Sequence, residues 1–348
     1  MVIIMKTNKI YEKSGFLNMP YIIDNKEYPF TFIIGGRGIG KTFGALHYLI
    51  ESGKKFILLR TTEDEAKLCA SEAGNPFKKI NSYYKKDIQI ENLNKHMWLV
   101  VDNETNKNIG LIMALTTFSK VRGLDFSDYD TILYDEFIPE RIQKRIPATG
   151  ESLFNCYETV NRNREIEGQA PVKLICMANA LNINNEILIK WNLVSIIQKL
   201  KKTESEIYSN QDIGLLFIMP QNSPISEAKL ETALYKISQR FNDMATGNKF
   251  REYYEKNIKS VNIKNYVIMA KFDDMCLYRS CCDRTYYITS FFSGRLNKKD
   301  IYTDTDYERK TFTRRFYFLT DAYYRGSIIF ENAELELTFL NLFKQLQK

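Results

Sequence analysis

Short runs of consecutive apolar residues recur along the first two thirds of the chain. Each is closed by a turn signal and followed by a stretch with helical spacing. Residues 30–34, 55–60, 131–136 and 172–177 read as strands, and their unbroken rather than alternating apolar character predicts burial on both faces. Residues 43–50, 62–73, 151–164 and 186–202 read as helices, the second opened by a capping pattern with an acidic first turn. Segments 88–91, 97–101 and 109–115 read as further strands, the last two forming a hairpin around a polar turn at 102–108. Strands alternating with helices in this way predict an α/β domain with a mostly parallel sheet over residues 1–205.

Around residues 220–260 the texture changes. Pro220 and Pro224 break the chain, and residues 226–241 have helical apolar spacing, which predicts a helical linker over 206–258. A small α+β domain is expected over 259–348, with strands at 266–270, 275–278 and 286–291 and a closing helix at 333–346.

Composition narrows the class without deciding the chemistry. A chain of 348 residues with 44% hydrophobic content supports about two cores, and a mean hydropathy of −0.34 argues against a membrane protein. No apolar run approaches the roughly 18 residues of a spanning helix, and residues 1–6 turn polar too early for a secretory signal, so a cytoplasmic protein is expected. Six cysteines without C-x-x-C spacing and only two histidines, His47 and His96, do not support a zinc site; reduced, mostly buried thiols are the simpler reading. The net charge is +7, and most of the excess lies in residues 198–348, with 24 basic against 19 acidic side chains. That excess alone is a weak pointer to nucleic acid.

The chemistry begins after the first strand. Gly35-Gly36-Arg37-Gly38-Ile39-Gly40-Lys41-Thr42 is a complete G-x-x-x-x-G-K-[ST] phosphate-binding loop between a strand and a helix. Its glycines let backbone N–H groups curl round phosphates, and the helix start adds its positive dipole end. Lys41 is placed to reach the β- and γ-phosphates, and Thr42 to ligate Mg²⁺. Nearly 100 residues later the strand 131–136 ends in Asp135 and Glu136. A carboxylate pair at a strand's C-terminal end faces the same crevice as the loop, so Asp135 suits the metal shell and Glu136 suits activation of water. Phosphoryl transfer also needs a cation on the transition state, and Arg162 and Arg164 are both candidates. Asn179, just past the strand 172–177, is placed to sense the γ-phosphate or water. No N-K-x-D tetrapeptide occurs, so ATP is expected rather than GTP.

Taken together, residues 33–42, 56–60, 132–137, Arg162-Asn163-Arg164-Glu165 and Asn179-Ala180 resemble the DNA-packaging ATPases of phi29-like tailed phages. The resemblance spans most of residues 30–195 and continues only as texture beyond 200. It implies a P-loop ATPase domain of the ASCE type, with a homo-oligomeric ring, of five subunits in that family, driving double-stranded DNA into a procapsid through its portal protein. A possible RNA scaffold in the ring, and a location in the host cytoplasm and transiently on the procapsid but not in the mature virion, are implied as well. Under this resemblance Gly35, Gly36, Arg37, Gly38, Ile39, Gly40, Lys41, Thr42, Asp135 and Asn179 bind ATP, Thr42 and Asp135 hold Mg²⁺, and Lys41 and Glu136 serve catalysis. Arg162 becomes the finger reaching into a neighbour's site, ahead of Arg164. Lys120-Val121-Arg122 loosely matches a second trans-acting cation, and Arg60 supports the site from within the subunit.

The same resemblance makes the C-terminal domain a degenerate RNase H-like nuclease. Its opening strand at 266–270 carries no carboxylate, and Asp273 and Asp274 fall in the next turn, so nuclease activity is not expected. A grip on DNA or an assembly partner through Arg295, Lys298, Lys299, Arg309, Lys310, Arg314 and Arg315 fits better, with Tyr302, Tyr307, Phe312 and Phe316 either interleaved on that face or forming β-core. Two alternatives stay open at this point: a terminase-type enzyme with an active nuclease, and a nucleotide-switched assembly factor that binds nucleic acid.

Overall fold

The computed structural model describes residues 10–139, 146–179, 185–220 and 257–343. These fall into two compact units, the first holding 10–139, 147–179 and 190–220, the second 146, 185–189 and 257–343. In chain order up to residue 218 the elements are α1 (Met19–Ile23), β1 (Phe30–Ile34), α2 (Lys41–Glu51), β2 (Phe56–Arg60), α3 (Glu63–Ala70), α4 (Lys78–Tyr84) and β3 (Ile88–Asn94). There follow β4 (Met97–Asp102), β5 (Lys107–Ala114), β6 (Thr131–Asp135), α5 (Thr149–Asn161), β7 (Lys173–Ala178), α6 (Glu186–Lys190), α7 (Val194–Thr203), β8 (Ile207–Asn210) and β9 (Leu215–Ile218).

One nine-stranded sheet organises the first unit, in the order β3-β4-β5-β2-β6-β7-β1-β9-β8. Its middle, from β5 to β9, is parallel, and antiparallel pairs are confined to the two margins. Every residue of β6 and β7 is buried, as unbroken apolar runs require of strands covered on both faces. Register places the strand ends side by side: Leu59 opposite Tyr134, Asp135 opposite Met177, and Ile34 opposite Ala178. The residues that follow these strands therefore emerge at one edge of the sheet.

Local signals account for several boundaries. Thr62 caps α3 in a reciprocal capping box: its hydroxyl accepts from Glu65 N, and the Glu65 carboxylate accepts from Thr62 N. The predicted helix 186–202 is instead two, α6 and α7, separated at Asn192, which adopts φ 55°. The predicted linker start at 206 is also corrected, because β8 and β9 form a hairpin that extends the large sheet beside β1. Its turn is set by Gly214 at φ 62°, and its four-residue strands are too short to stand out by periodicity. The predicted helix 226–241 lies outside the described residues.

The second unit is built on β10 (Tyr266–Phe272), β11 (Met275–Ser280), β12 (Tyr286–Thr289), β13 (Ile301–Tyr302) and β14 (Ile328–Phe330) in the order β13-β10-β11-β12-β14. With them come α8 (Asp306–Arg315), α9 (Leu319–Tyr324) and α10 (Ala333–Leu342). Residues 306–315 are thus helical, not β-core. Phe312 and Phe316 are buried beside Tyr302, whereas Tyr307 stands 79% exposed. Thr305, accepting from Glu308 N, supplies the cap that the sequence reading passed over. Among the described residues no helix is long and apolar enough to cross a membrane.

One buried charge lies at the start of β7. Lys173 Nζ donates to the carbonyls of Asn25 (2.9 Å) and Tyr28, while burial, with Lys54 nearby, pushes its amine down to about 7 against the pull of Asp24. Between pH 7 and about 10.4 the unfolded chain holds a proton that the folded chain has lost. Stability from this residue therefore rises with pH across that window. Denaturant midpoints of the wild type measured at pH 7 and 9.5 are expected to show this rise relative to Lys173→Met, which has no such proton; parallel pH profiles would refute it.

Candidate nucleotide-binding site

Residues 35–42 leave β1 and enter α2 as a close loop. Gly35 N donates to Ala178 O (3.1 Å), which ties the start of the loop to the end of β7. Gly38 and Gly40 adopt φ 77° and 87°, a region that side chains with a Cβ enter at a cost. Gly40 occupies the N-cap of α2 and supplies no side-chain cap. Ile39 is buried and fastens the loop, while Arg37 and Gly38 are exposed on its rim.

Lys41 is buried, and its ammonium curls back over the loop. Nζ donates to Gly35 O (2.8 Å), Gly36 O (2.7 Å) and Asn179 Oδ1 (3.1 Å). The cation is thus solvated by the loop itself and aimed into the cradle the loop encloses. Thr42 Oγ1 donates to Asp135 Oδ1 (3.0 Å). The other Asp135 oxygen accepts from Arg60 Nη1 (3.0 Å), and Arg60 Nη2 pairs with Glu136. A hydroxyl and a carboxylate side by side form the hard oxygen set that suits Mg²⁺.

Electrostatics follow burial. Asp135 is 7% exposed, and burial raises its carboxyl above the usual carboxylate range, with Arg60, Thr42 and Lys41 pulling the other way. Burial also pulls the Arg60 guanidinium down, but Asp135 and Glu136 outweigh it and hold it above its ordinary value. Glu136, by contrast, has a side chain 57% exposed and a backbone at φ 57°, just past the strand. One carboxylate is sunk beneath the loop and the next projects into solvent. Cys69 lies beside this group, and burial pushes its thiol up to about 11, so it remains protonated and unreactive at neutral pH.

Gly35, Gly36, Lys41, Thr42, Asp135, Glu136 and Asn179 thus meet at one edge of the sheet. Arg162 does not join them. The preceding residue, Asn161, accepts from Val172 N (2.8 Å) at the start of β7, and Asn179 follows the end of β7. Val172 and Asn179 stand seven residues apart along this strand, roughly 23 Å at about 3.3 Å per residue. Arg162 sits at φ 47° past α5 with a side chain 48% exposed, donating to Leu124 O (2.8 Å) near Asp125. Arg164 is instead tied in, its side chain 13% exposed and donating to the carbonyls of Ser127 and Tyr129 (3.0 Å), with Asp130 at 3.6 Å. Lys120 and Arg122 are exposed, and Lys120 lines a shallow cleft with Lys95 and His96. The double engagement of Arg60 follows from β2 lying next to β6, a neighbour relation that residue spacing does not reveal.

The sequence pattern of the podovirus DNA encapsidation proteins (Gp16) matches residues 11–345, almost the whole chain. The chain belongs to this family. The DNA packaging proteins of Bacillus phages phi29 and PZA are each 26% identical to it over 246 residues, 69% of this chain and 67% of theirs. Among solved structures, a chain of the phi29 viral genome packaging motor assembly superposes with a TM-score of 0.61 at 19% identity, covering 95% of this chain and 99% of that one. The phi28 gp11 DNA packaging motor gives 0.62 at 15% identity, with 97% and 99% covered. At such identities these two establish a shared fold.

The two arginines of this encapsidation protein are therefore separable by experiment. Arg164→Ala leaves two carbonyls without their donor and is expected to cost about 1–3 kcal/mol of unfolding free energy. Arg162→Ala, at an exposed position, is expected to stay within about 0.5 kcal/mol of wild type. Chemical denaturation of both variants checks this, and equal losses would contradict the assignment.

Proposed function

We propose that the chain is the ATP-hydrolysing subunit of a ring motor that drives double-stranded viral DNA into a preformed procapsid. The observation that carries this reading is the convergence of Lys41, Thr42, Asp135, Glu136 and Asn179 at the ends of three adjacent parallel strands. Family membership supplies the packaging context. The ring, of five subunits by the resemblance, docks on the portal protein. Its place is the host cytoplasm, on the procapsid during filling and absent from the mature virion.

The loop amides of residues 35–42 and Lys41 bind the phosphates of ATP, Lys41 exchanging its internal partners for phosphate oxygens. Thr42 and Asp135 are the residues to hold Mg²⁺, which when bound neutralises charge on the β- and γ-phosphates. Glu136 takes a proton from the attacking water. Arg60 holds Glu136 by an ion pair and so sets where that carboxylate rests. Asn179 reports on the γ-phosphate through its contact with Lys41. The distance of Arg162 from its own loop and its exposure support action in a neighbour's site.

The second unit is proposed as a vestigial RNase H-like domain without cutting activity. Its first strand, β10, carries no carboxylate, while Asp273 (φ 46°) and Asp274 occupy the turn after it. Several of its basic residues are already matched with acids: Arg309 with Asp304, and Arg315 with Asp300 at 2.7 Å. Lys298, Lys299, Lys310 and Arg314 are the better candidates for touching DNA, and Arg295 joins them on the loop before β13.

Steady-state ATP hydrolysis with and without double-stranded DNA tests this. Wild type is expected to be stimulated severalfold by DNA, and Lys41→Ala to be inactive. Glu136→Gln is expected to bind ATP but to turn over at least about 100-fold more slowly. Arg162→Ala and Glu136→Gln subunits, each inactive alone, are expected to regain activity when mixed. ATP binding with negligible turnover in wild type, even on the portal, would refute the motor. Mg²⁺-dependent cleavage of DNA would refute the vestigial nuclease.

A further inference from the structure

A tight turn precedes α1. Glu12 N donates to Phe16 O (2.8 Å), Gly15 N donates to Glu12 O (2.9 Å), and Tyr11 bridges Leu17 in antiparallel fashion. Gly15 sits at φ 84° inside it. The turn is fastened directly to the phosphate loop, because Leu17 N donates to Ile39 O (3.1 Å). Leu17 and Met19, at 2% and 1% exposure, anchor it in the core. Phe16 points the other way and remains 43% exposed.

That exposed ring has a definite neighbour. A methyl group built on Gly40 would lie 3.0 Å from Cδ1 of Phe16, and one on Gly44, a turn later, 3.1 Å from Met19. The segment therefore runs along the outward side of α2, with Phe16 at the end where the phosphate loop enters the helix. Phe43 leaves α2 about 60° round the helix from Gly40, by the ~100° turn per residue. Its own ring is packed against His47, Tyr83 and Tyr84. Phe16 and Phe43 thus both lie at the first turn of α2, and Phe16, beside Gly40, is the more open of the pair. In a nucleoside triphosphate whose β- and γ-phosphates lie on residues 38–42, the ribose and base leave past the start of the helix.

We propose that Phe16 is the stacking platform for the purine base of the bound nucleotide. The inference rests on reading residues 35–42 as a nucleoside triphosphate site and adds the base to it. The turn that carries the ring is tied to the loop through Leu17 N, which lowers the cost of ordering it beside a ligand, and stacking on an aromatic side chain accepts any base. Affinity for the purine then comes from this N-terminal turn, and affinity for the phosphates from the loop.

Equilibrium binding of ATP and of inorganic tripolyphosphate, which has no base, tests the division in the full-length chain. Phe16→Ala is expected to weaken ATP about tenfold while leaving tripolyphosphate unchanged. Phe16→Trp is expected to retain ATP affinity and to show tryptophan quenching, above the wild-type background, with ATP but not with tripolyphosphate. Loss of both ligands together in Phe16→Ala, with no ATP-specific quenching in Phe16→Trp, would make Phe16 a brace for the loop and overturn the proposal. Unchanged affinity for both would place the base elsewhere and overturn it too, with the phosphate site intact. A wild type that binds neither ligand would refute the phosphate site itself, and the stack with it.

Discussion

A single buried carboxylate joins the parts of this site that come from different strands. Asp135 accepts from Thr42 on one oxygen and from Arg60 on the other, so it bridges the phosphate loop to the neighbouring strand β2. Removing Arg60 would leave the buried Asp135 charge with a neutral donor alone, and removing Asp135 would leave Arg60 with the exposed Glu136 as its carboxylate partner. This interdependence fixes the spacing of the loop, the Thr42 and Asp135 oxygens and Glu136. The parallel middle of the sheet is what makes it possible, since only aligned C-terminal strand ends bring Arg60, Asp135, Asn179 and Gly35 into one row.

The second constraint is the contrast between consecutive residues. Asp135 closes the strand and inherits its burial, whereas Glu136 turns into the left-handed region and into water. Two adjacent carboxylates thereby acquire different environments from backbone geometry alone. Arg60 spans both and pairs with each of them.

Much of this was legible in the sequence. The loop announced itself by eight consecutive residues, and the Asp135-Glu136 ending by its position after an apolar strand. Continuous apolar runs at 131–136 and 172–177 announced the buried parallel strands. Other features were not legible, for physical reasons. Strands β8 and β9 have four residues each and no alternation long enough to register. Residues 306–315 mix Tyr, Phe and basic side chains, and the composition hid a helix whose cap is Thr305. The turn at Phe16 drew no attention because its significance depends on Gly40, 24 positions later in the chain and adjacent only after folding. Arg162 and Arg164 look equivalent as neighbours in sequence and separate only when Ser127, Tyr129 and Asp130 are seen to claim one of them.

The internal solvation of Lys41 carries an implication for selectivity. Two carbonyls and an amide oxygen already surround its ammonium. An anion entering the loop must therefore outbid three good acceptors rather than merely find a bare charge. A chloride or bicarbonate ion, with one diffuse charge and few contacts to the loop amides, gains too little from that exchange. A chain of phosphates engages many amides at once and gains far more. Under the proposed function, the partners of Lys41 thus set a threshold that favours a chain of phosphates over a small monovalent anion.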